Sequence, residues 1–170
     1  MESYKGQSRN IFRLEGRCHN MSFFDENLYF YFISLKTDFI NFDEYNEWLN
    51  EQFLADDSRE ILLDLQFCTE NVKKTIETMN YYLFNKVAKL DYQVIGKAIS
   101  RTLRLRNIDD METLREISEK LYQMWCLLPR ETSEEKPFIF MNSIDDPWSW
   151  DDSNRVVDGI KWLSHYYDNL

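Results

Sequence analysis

The chain has 170 residues, of which 44% are hydrophobic and 16% are aromatic, and its acidic residues outnumber its basic residues by 30 to 20. This hydrophobic content excludes an intrinsically disordered chain, and the length suits one domain with its own core. The net charge of −10 disfavours nucleic acid and anionic membranes as partners and favours basic proteins. An acidic surface also serves solubility alone, so both interpretations remain open.

The chain is poor in the residues that mark turns, with only four glycines and three prolines, which favours long helices over many short strands. Residues 1–20 are predicted to form an irregular or extended lead-in, where four basic residues face two acidic ones. Residues 23–35 carry apolar side chains at helical spacing, with Ser22 as the expected cap. Their aromatic density leaves a strand open as the alternative.

Two further helices follow. The first begins at Asn41, which Glu44 completes as a capping box. The second follows Asp57, and we predict that its apolar residues face inward. These are Ile61, Leu62 and Leu65, with Phe67 as a further candidate.

The second half of the chain contains four more predicted helices. Thr69 is expected to cap the first of them and Asp91 the second, in which Gly96 indicates close packing by a neighbouring element. The third begins at Asp109 or Asp110 and ends before Pro129. The last one is capped by Asp152 or Ser153.

Residues 130–152 are predicted to be a long acidic loop, in which residues 138–141 form a buried loop or a single strand. We therefore expect an all-α fold, a single domain over residues 1–170. It should be an antiparallel bundle of about seven helices, with at most one short strand or extended segment.

The three cysteines, Cys18, Cys68 and Cys126, are widely spaced and lack metal-ligand spacing, so reduced thiols are expected. No apolar run approaches the roughly 20 residues that span a bilayer. The N-terminus lacks the apolar core of a signal peptide. These features predict a cytoplasmic protein.

The densest acidic stretch, residues 145–152, is also aromatic, and we predict that it binds a partner. Tryptophan is enriched at binding hot spots, and flanking acids attract a basic protein. The alternative is a loop that buries one indole. Calcium binding is disfavoured because the stretch lacks the spacing of an EF-hand loop and contains Pro147. The predicted partner-binding residues are Asp145, Asp146, Trp148, Trp150, Asp151 and Asp152.

Other residue groups have a plain structural explanation beside a functional one. Four basic residues on one predicted helix suit phosphate binding or, more simply, a solvated face: Lys97, Arg101, Arg104 and Arg106. Seven aromatic residues could line a pocket, although such stripes are usually core: Trp48, Tyr81, Tyr82, Trp125, Trp162, Tyr166 and Tyr167. Among these, Tyr166 and Tyr167 are expected to be the more exposed. Neither His19 nor His165 belongs to a catalytic motif.

Residues 62–76 and 114–129, followed by the aspartate-rich stretch, resemble small acidic bacterial immunity proteins of polymorphic or contact-dependent toxin systems. The resemblance implies a cytoplasmic protein that binds a cognate toxin, often a nuclease, and blocks its active site or substrate groove. It transfers no site residues, and the class includes many folds.

Together these observations predict a non-enzymatic protein that neutralises a basic partner, with no catalytic residue, cofactor or metal ion. Two alternatives remain. One is an intracellular helical adaptor or regulatory domain, including a homodimeric one. The other is an enzyme that depends on carboxylates or a metal.

Overall fold

The computed structural model describes residues 23–106, 108, 110–144 and 153–169. This part of the chain contains no β-strand, which confirms the all-α prediction. Its helices are α1 Phe24–Lys36, α2 Phe42–Ala55, α3 Glu60–Gln66, α4 Val72–Leu83, α5 Tyr92–Leu105, α6 Met111–Leu127, α7 Arg130–Ser133, α8 Ile139–Asn142 and α9 Ser153–His165. Two 3₁₀ segments, Val87–Lys89 and Tyr166–Asn169, follow α4 and α9.

The starts of α2, α5 and α6 are set by side-chain caps that the sequence predicts. Asn41 accepts a hydrogen bond from the backbone of Glu44 at 2.8 Å, and the two residues form a capping box. Asp91 caps α5 through the amide of Gln93, and Asp110 caps α6 through the amide of Thr113. The N-caps therefore satisfy amides that the helices leave without internal partners.

The predicted cap of α4 is wrong. Asn71, not Thr69, accepts the hydrogen bond from the amide of Lys74, at 3.0 Å. Thr69 instead donates its hydroxyl to the carbonyl oxygen of Gln66 at 3.2 Å, and so serves the end of α3. The predicted cap of α1, Ser22, lies outside the described residues.

Helix α1 forms the centre of the molecule. Nine of its 13 residues are buried, including the adjacent Phe30 and Tyr31, because α4, α5 and α6 surround it. A helix that is apolar on every side belongs in a core. Full burial of one such side chain contributes about 1.5 to 3 kcal/mol. The segment predicted as a helix or a strand over residues 23–35 is therefore a helix, and its aromatic density reflects burial on all sides.

Residues 130–144 differ from the predicted loop, because they contain two short helices. Phe138 and Met141 are buried at a helical spacing of three residues, whereas Ile139 and Phe140 are exposed. Helical geometry lets the first pair reach the core while the second pair faces solvent, so a strand is not formed. These helices raise the count within the described ranges to nine.

The expectation of close packing at Gly96 is confirmed. Gly96 is buried in α5, and the phenol of Tyr167 lies against its backbone. Ser100, one turn further on, donates its hydroxyl to the carbonyl oxygen of Leu163 at 2.8 Å. These contacts hold α5 against α9 and the 3₁₀ segment that follows it.

Candidate partner-binding surface

The six predicted partner-binding residues lie outside the described residues. They are Asp145, Asp146, Trp148, Trp150, Asp151 and Asp152. Their role therefore stays a prediction, and the candidate surface below is built from other residues.

The predicted aromatic group does not form one pocket. Trp48 is buried and stacks on Tyr31 with 4.5 Å between ring centroids. Trp125 donates its indole N–H to the carbonyl oxygen of Ser133 at 2.9 Å, at another place in the fold. Tyr82 donates its hydroxyl to Asp25 at 2.9 Å. These side chains serve the core and local contacts, as the structural alternative predicted.

The expected exposure of Tyr166 and Tyr167 is also wrong. Both are only partly exposed, because Tyr166 packs edge-on against Trp162 and Tyr167 packs on Gly96. Tyr81, in contrast, is 88% exposed. It lies on the side of α4 opposite the buried Met79 and Leu83.

Two of the four basic residues predicted on one helix form ion pairs within the protein itself. Arg104 pairs with Asp168 at 2.8 Å. Arg106 pairs with Glu44 at 3.2 Å and also donates to the carbonyl oxygen of Phe39. These contacts match the interpretation of a solvated, charge-paired face rather than a phosphate site.

A surface that the sequence did not reveal lies on α3 and its two neighbours. Large apolar side chains are exposed there: Leu54 at 86%, Leu63 at 45%, Phe67 at 83% and Tyr81 at 88%. Acidic residues Glu60, Asp64 and Glu77 lie among them. We call these seven residues the α3 surface.

The local sequence explains why α3 presents these groups. Ile61, Leu62 and Leu65 are buried, and α3 packs between α2 and α4. Leu63 and Phe67, spaced by four residues, fall on the other side of the turn. The inward placement considered for Phe67 is therefore wrong, since the three buried residues already use the inner face of this short helix.

Two grooves flank α3. One is the α2–α3 groove, whose volume is about 310 Å³. The other is the α3–α4 groove, whose volume is about 990 Å³. Phe67 lines both grooves, so it forms the ridge between them.

The α3–α4 groove is negatively charged. Glu60, Asp64 and Glu77 line it, and Lys74 is the single basic residue among its described lining. No ion pair within the described ranges uses any of the three acids. Their charge is consequently available to a partner, unlike that of Asp25, which pairs with Lys86 at 2.9 Å.

The floor of this groove contains a cysteine without features of a nucleophile. Cys68 is buried and donates its thiol to the carbonyl oxygen of Asp64 at 3.2 Å. Cys68 and Cys126 are both free thiols. A reactive cysteine needs a partly exposed, electropositive setting, and this groove is acidic.

Other described residues that could support chemistry are engaged in local structure. Ser164 lies 2.8 Å from Nδ1 of His165, yet its hydroxyl is buried and donates to the carbonyl oxygen of Lys161. Hydrogen bonds from Ser58 and from Thr113 lower the pKa of Asp56 and of Asp110, respectively. A general acid at neutral pH needs the opposite shift.

Three further findings concern metal binding, membrane spans and similarity to known proteins. Within the described ranges, no group of three or more His, Cys, Asp or Glu side chains has the arrangement to hold a metal ion. None of the helices described combines the length and apolar character needed to cross a membrane. Comparison with protein families, curated proteins and solved structures finds nothing that matches this chain.

Proposed function

We propose that this protein binds a basic protein through the α3 surface and neutralises it without chemistry of its own. The observation that carries the proposal is the combination of four exposed apolar side chains with three acids that form no ion pair within the described residues. Exposed apolar groups of this size are a liability unless a partner covers them. Unpaired acids beside them select a partner of opposite charge.

The proposed sequence of events is electrostatic steering followed by burial of aromatic anchors. The net charge of −10 accelerates the approach of a basic protein. Phe67 and Tyr81 then supply buried area, and aromatic side chains of this kind dominate binding energies at interfaces. The acidic stretch with Trp148 and Trp150 is a second proposed contact region for the same partner.

The charge of the α3 surface favours a different protein over a second copy of this chain. In a two-fold symmetric dimer centred on this surface, Asp64 of each copy would face the acids of the other. Like charges brought together in an interface are destabilising. The homodimeric adaptor is therefore the weaker proposal for this surface.

The proposed class is an immunity protein that inhibits a cognate bacterial toxin in the cytoplasm. Its support is the resemblance of residues 62–76 to such proteins. This segment begins within α3, ends in α4 and contains three of the seven residues of the α3 surface, namely Leu63, Asp64 and Phe67. The free thiols Cys68 and Cys126 are consistent with a reducing compartment. A toxin such as a nuclease has a basic substrate groove, which an acidic protein can cover.

The test is affinity capture from the native host followed by measured binding of the purified partner. The site variant is Phe67→Ala with Tyr81→Ala, and the control is Leu105→Ala with Met111→Ala, which removes two other exposed apolar side chains. We expect the site variant to bind more weakly, with Kd raised by more than about tenfold, which corresponds to about 1.4 kcal/mol. The control should bind as the wild type does.

Two results would overturn the proposal. One is equal binding by the wild type and the site variant. The other is an association rate that does not change with salt, because steering weakens when charges are screened beyond about 8 Å at physiological ionic strength. If the captured partner is a toxin, co-expression of the chain should also restore growth of cells that produce it.

A further inference from the structure

We infer that the α3–α4 groove receives an arginine side chain of the partner, while the α2–α3 groove receives a large apolar side chain. This inference rests on the proposed function and adds to it the chemistry of the recognised segment. The partner would present an arginine and an apolar residue on either side of the Phe67 ridge.

The walls of the α3–α4 groove combine carboxylates with aromatic rings. On α3, Glu60 and Asp64 are one turn apart, and Phe67 lies three residues further on. On α4, Glu77 and Tyr81 are again one turn apart. A cation that enters between the helices thus meets acids and aromatic side chains contributed by both walls.

Arginine fits these walls better than lysine. Its planar guanidinium group is weakly hydrated, stacks on aromatic rings and donates two parallel hydrogen bonds to a carboxylate. The lysine ammonium group is a strongly hydrated point charge that gains less from a ring. A groove that offers both rings and carboxylates therefore selects the guanidinium group.

The protein already holds one of its own arginines by the same two kinds of contact. The guanidinium carbon of Arg59 lies 4.6 Å from the ring centroid of Phe24. The Nε atom of Arg59 pairs with the carboxylate of Asp56 at 3.4 Å. In the α3–α4 groove the rings and carboxylates are present, and the arginine is left for the partner to supply.

The α2–α3 groove has a different chemistry. No ionisable side chain is among its described lining residues, which are Asn50, Phe53, Leu54, Leu63, Gln66 and Phe67. Gln66 donates its side-chain amide to Asn50 at 3.1 Å, so the two polar groups partly satisfy each other. Phe53, Leu54 and Leu63 are left to contact an apolar side chain.

The experiment uses the whole ¹⁵N-labelled protein and four small probes, followed by amide chemical shifts. The probes are N-acetyl-argininamide, its uncharged isostere N-acetyl-citrullinamide, N-acetyl-lysinamide and N-acetyl-leucinamide. We expect the arginine probe to shift the amides of Asp64, Glu77 and Tyr81 in a saturable manner. The leucine probe should shift Leu63 and Gln66 instead.

Matched variants separate the groove from the general charge of the protein. Asp64→Asn with Glu77→Gln removes two acids from the groove, and Glu119→Gln with Glu131→Gln removes two exposed acids elsewhere. The groove variant should bind the arginine probe about fivefold or more weakly than the wild type, since each of the two lost charge pairs contributes modestly. The control variant should change its affinity by less than about twofold because distant exposed charges are screened.

The inference is overturned if the arginine and citrulline probes give the same amide shifts. It is also overturned if the amides that these probes shift lie outside the α3–α4 groove. It is likewise overturned if lysine binds as tightly as arginine, or if both charge variants lose affinity equally. Retained binding of the partner through Phe67 and Tyr81 in any of these cases would leave the proposed function standing. If binding of the partner did not depend on Phe67 and Tyr81, while the arginine probe still bound in the α3–α4 groove, the proposed function would be overturned instead.

Discussion

The phenol ring of Tyr167 lies against the backbone of Gly96, and a Cβ atom added at Gly96 would be 2.8 Å from the ring Cζ atom. This contact joins α5 to the C-terminal 3₁₀ segment. Substitution of Gly96 is therefore limited by contact with the Tyr167 side chain and not by the backbone conformation of Gly96.

We expect Gly96→Ala to destabilise the protein by about 1 kcal/mol. Alanine is better than glycine in a helix by about 1 kcal/mol, but overpacking costs about 1 to 3 kcal/mol. Gly159→Ala in α9 is the matched control, because its Cβ would meet only Ile144 at an ordinary 3.5 Å. Urea denaturation should show a loss for the first variant and a gain for the second. A gain at both positions would contradict the packing at Gly96.

Tyr167→Phe should leave stability unchanged or raise it by about 1 kcal/mol. The hydroxyl oxygen of Tyr167 is buried and has no hydrogen-bond partner among the described residues. Removal of an unsatisfied buried polar group relieves a desolvation cost. In a double-mutant cycle, Tyr167→Phe should also reduce the cost of Gly96→Ala. A clear loss of stability in the single variant would show that the hydroxyl group has a partner.

The exposed and buried residues of α3 should respond in opposite ways to truncation. Phe67→Ala should change the free energy of unfolding by less than about 0.5 kcal/mol, as is usual at the surface. Leu65→Ala should cost about 2 to 5 kcal/mol, because Leu65 is completely buried. Thermal or urea denaturation followed by circular dichroism measures both. A large loss at Phe67 would mean that this ring belongs to the core and is not free for a partner.

Stability should fall steeply as the pH rises above 10. Burial raises the pKa of Tyr92 to about 12 and raises the pKa of Tyr45 well above the ordinary value of 10.0. Because the folded-state pKa values are higher than the unfolded ones, these groups favour the folded state fully below pH 10. That contribution is lost as the pH rises from there through the folded-state values.

Urea denaturation between pH 8 and pH 11 measures this effect, and Tyr45→Phe provides the comparison. The variant should lose less stability over this range than the wild type, because one titrating phenol is gone. Equal slopes for the two proteins would mean that Tyr45 does not contribute to the alkaline limb.

Much of the fold follows from local sequence. Asn41 and Glu44 determine the start of α2, and Asp91 and Asp110 determine two other starts, because each cap needs only atoms within three residues. The scarcity of glycine and proline favours helices throughout. Such features are local and act before any helix packs.

Other features depended on packing between helices. The apolar residues of α1 show no free face, so their pattern could not separate helix from strand until α4, α5 and α6 were seen to surround it. Thr69 and Asn71 are both good caps, and the choice depended on how the chain leaves α3. Helical spacing could have placed Tyr81 outward, since it falls off the stripe of Met79 and Leu83.

The sequence by itself determined an acidic protein built from helices, and its net charge is the basis on which we propose a basic partner. Only the tertiary structure reveals the α3 surface, which we propose as the docking site. Phe67 lies one residue beyond a seven-residue helix, so periodicity could not assign it to the core or the surface. The α3–α4 groove arises only when α3 and α4 pack side by side, because its two walls belong to different helices, which the turn at residues 67–71 brings together.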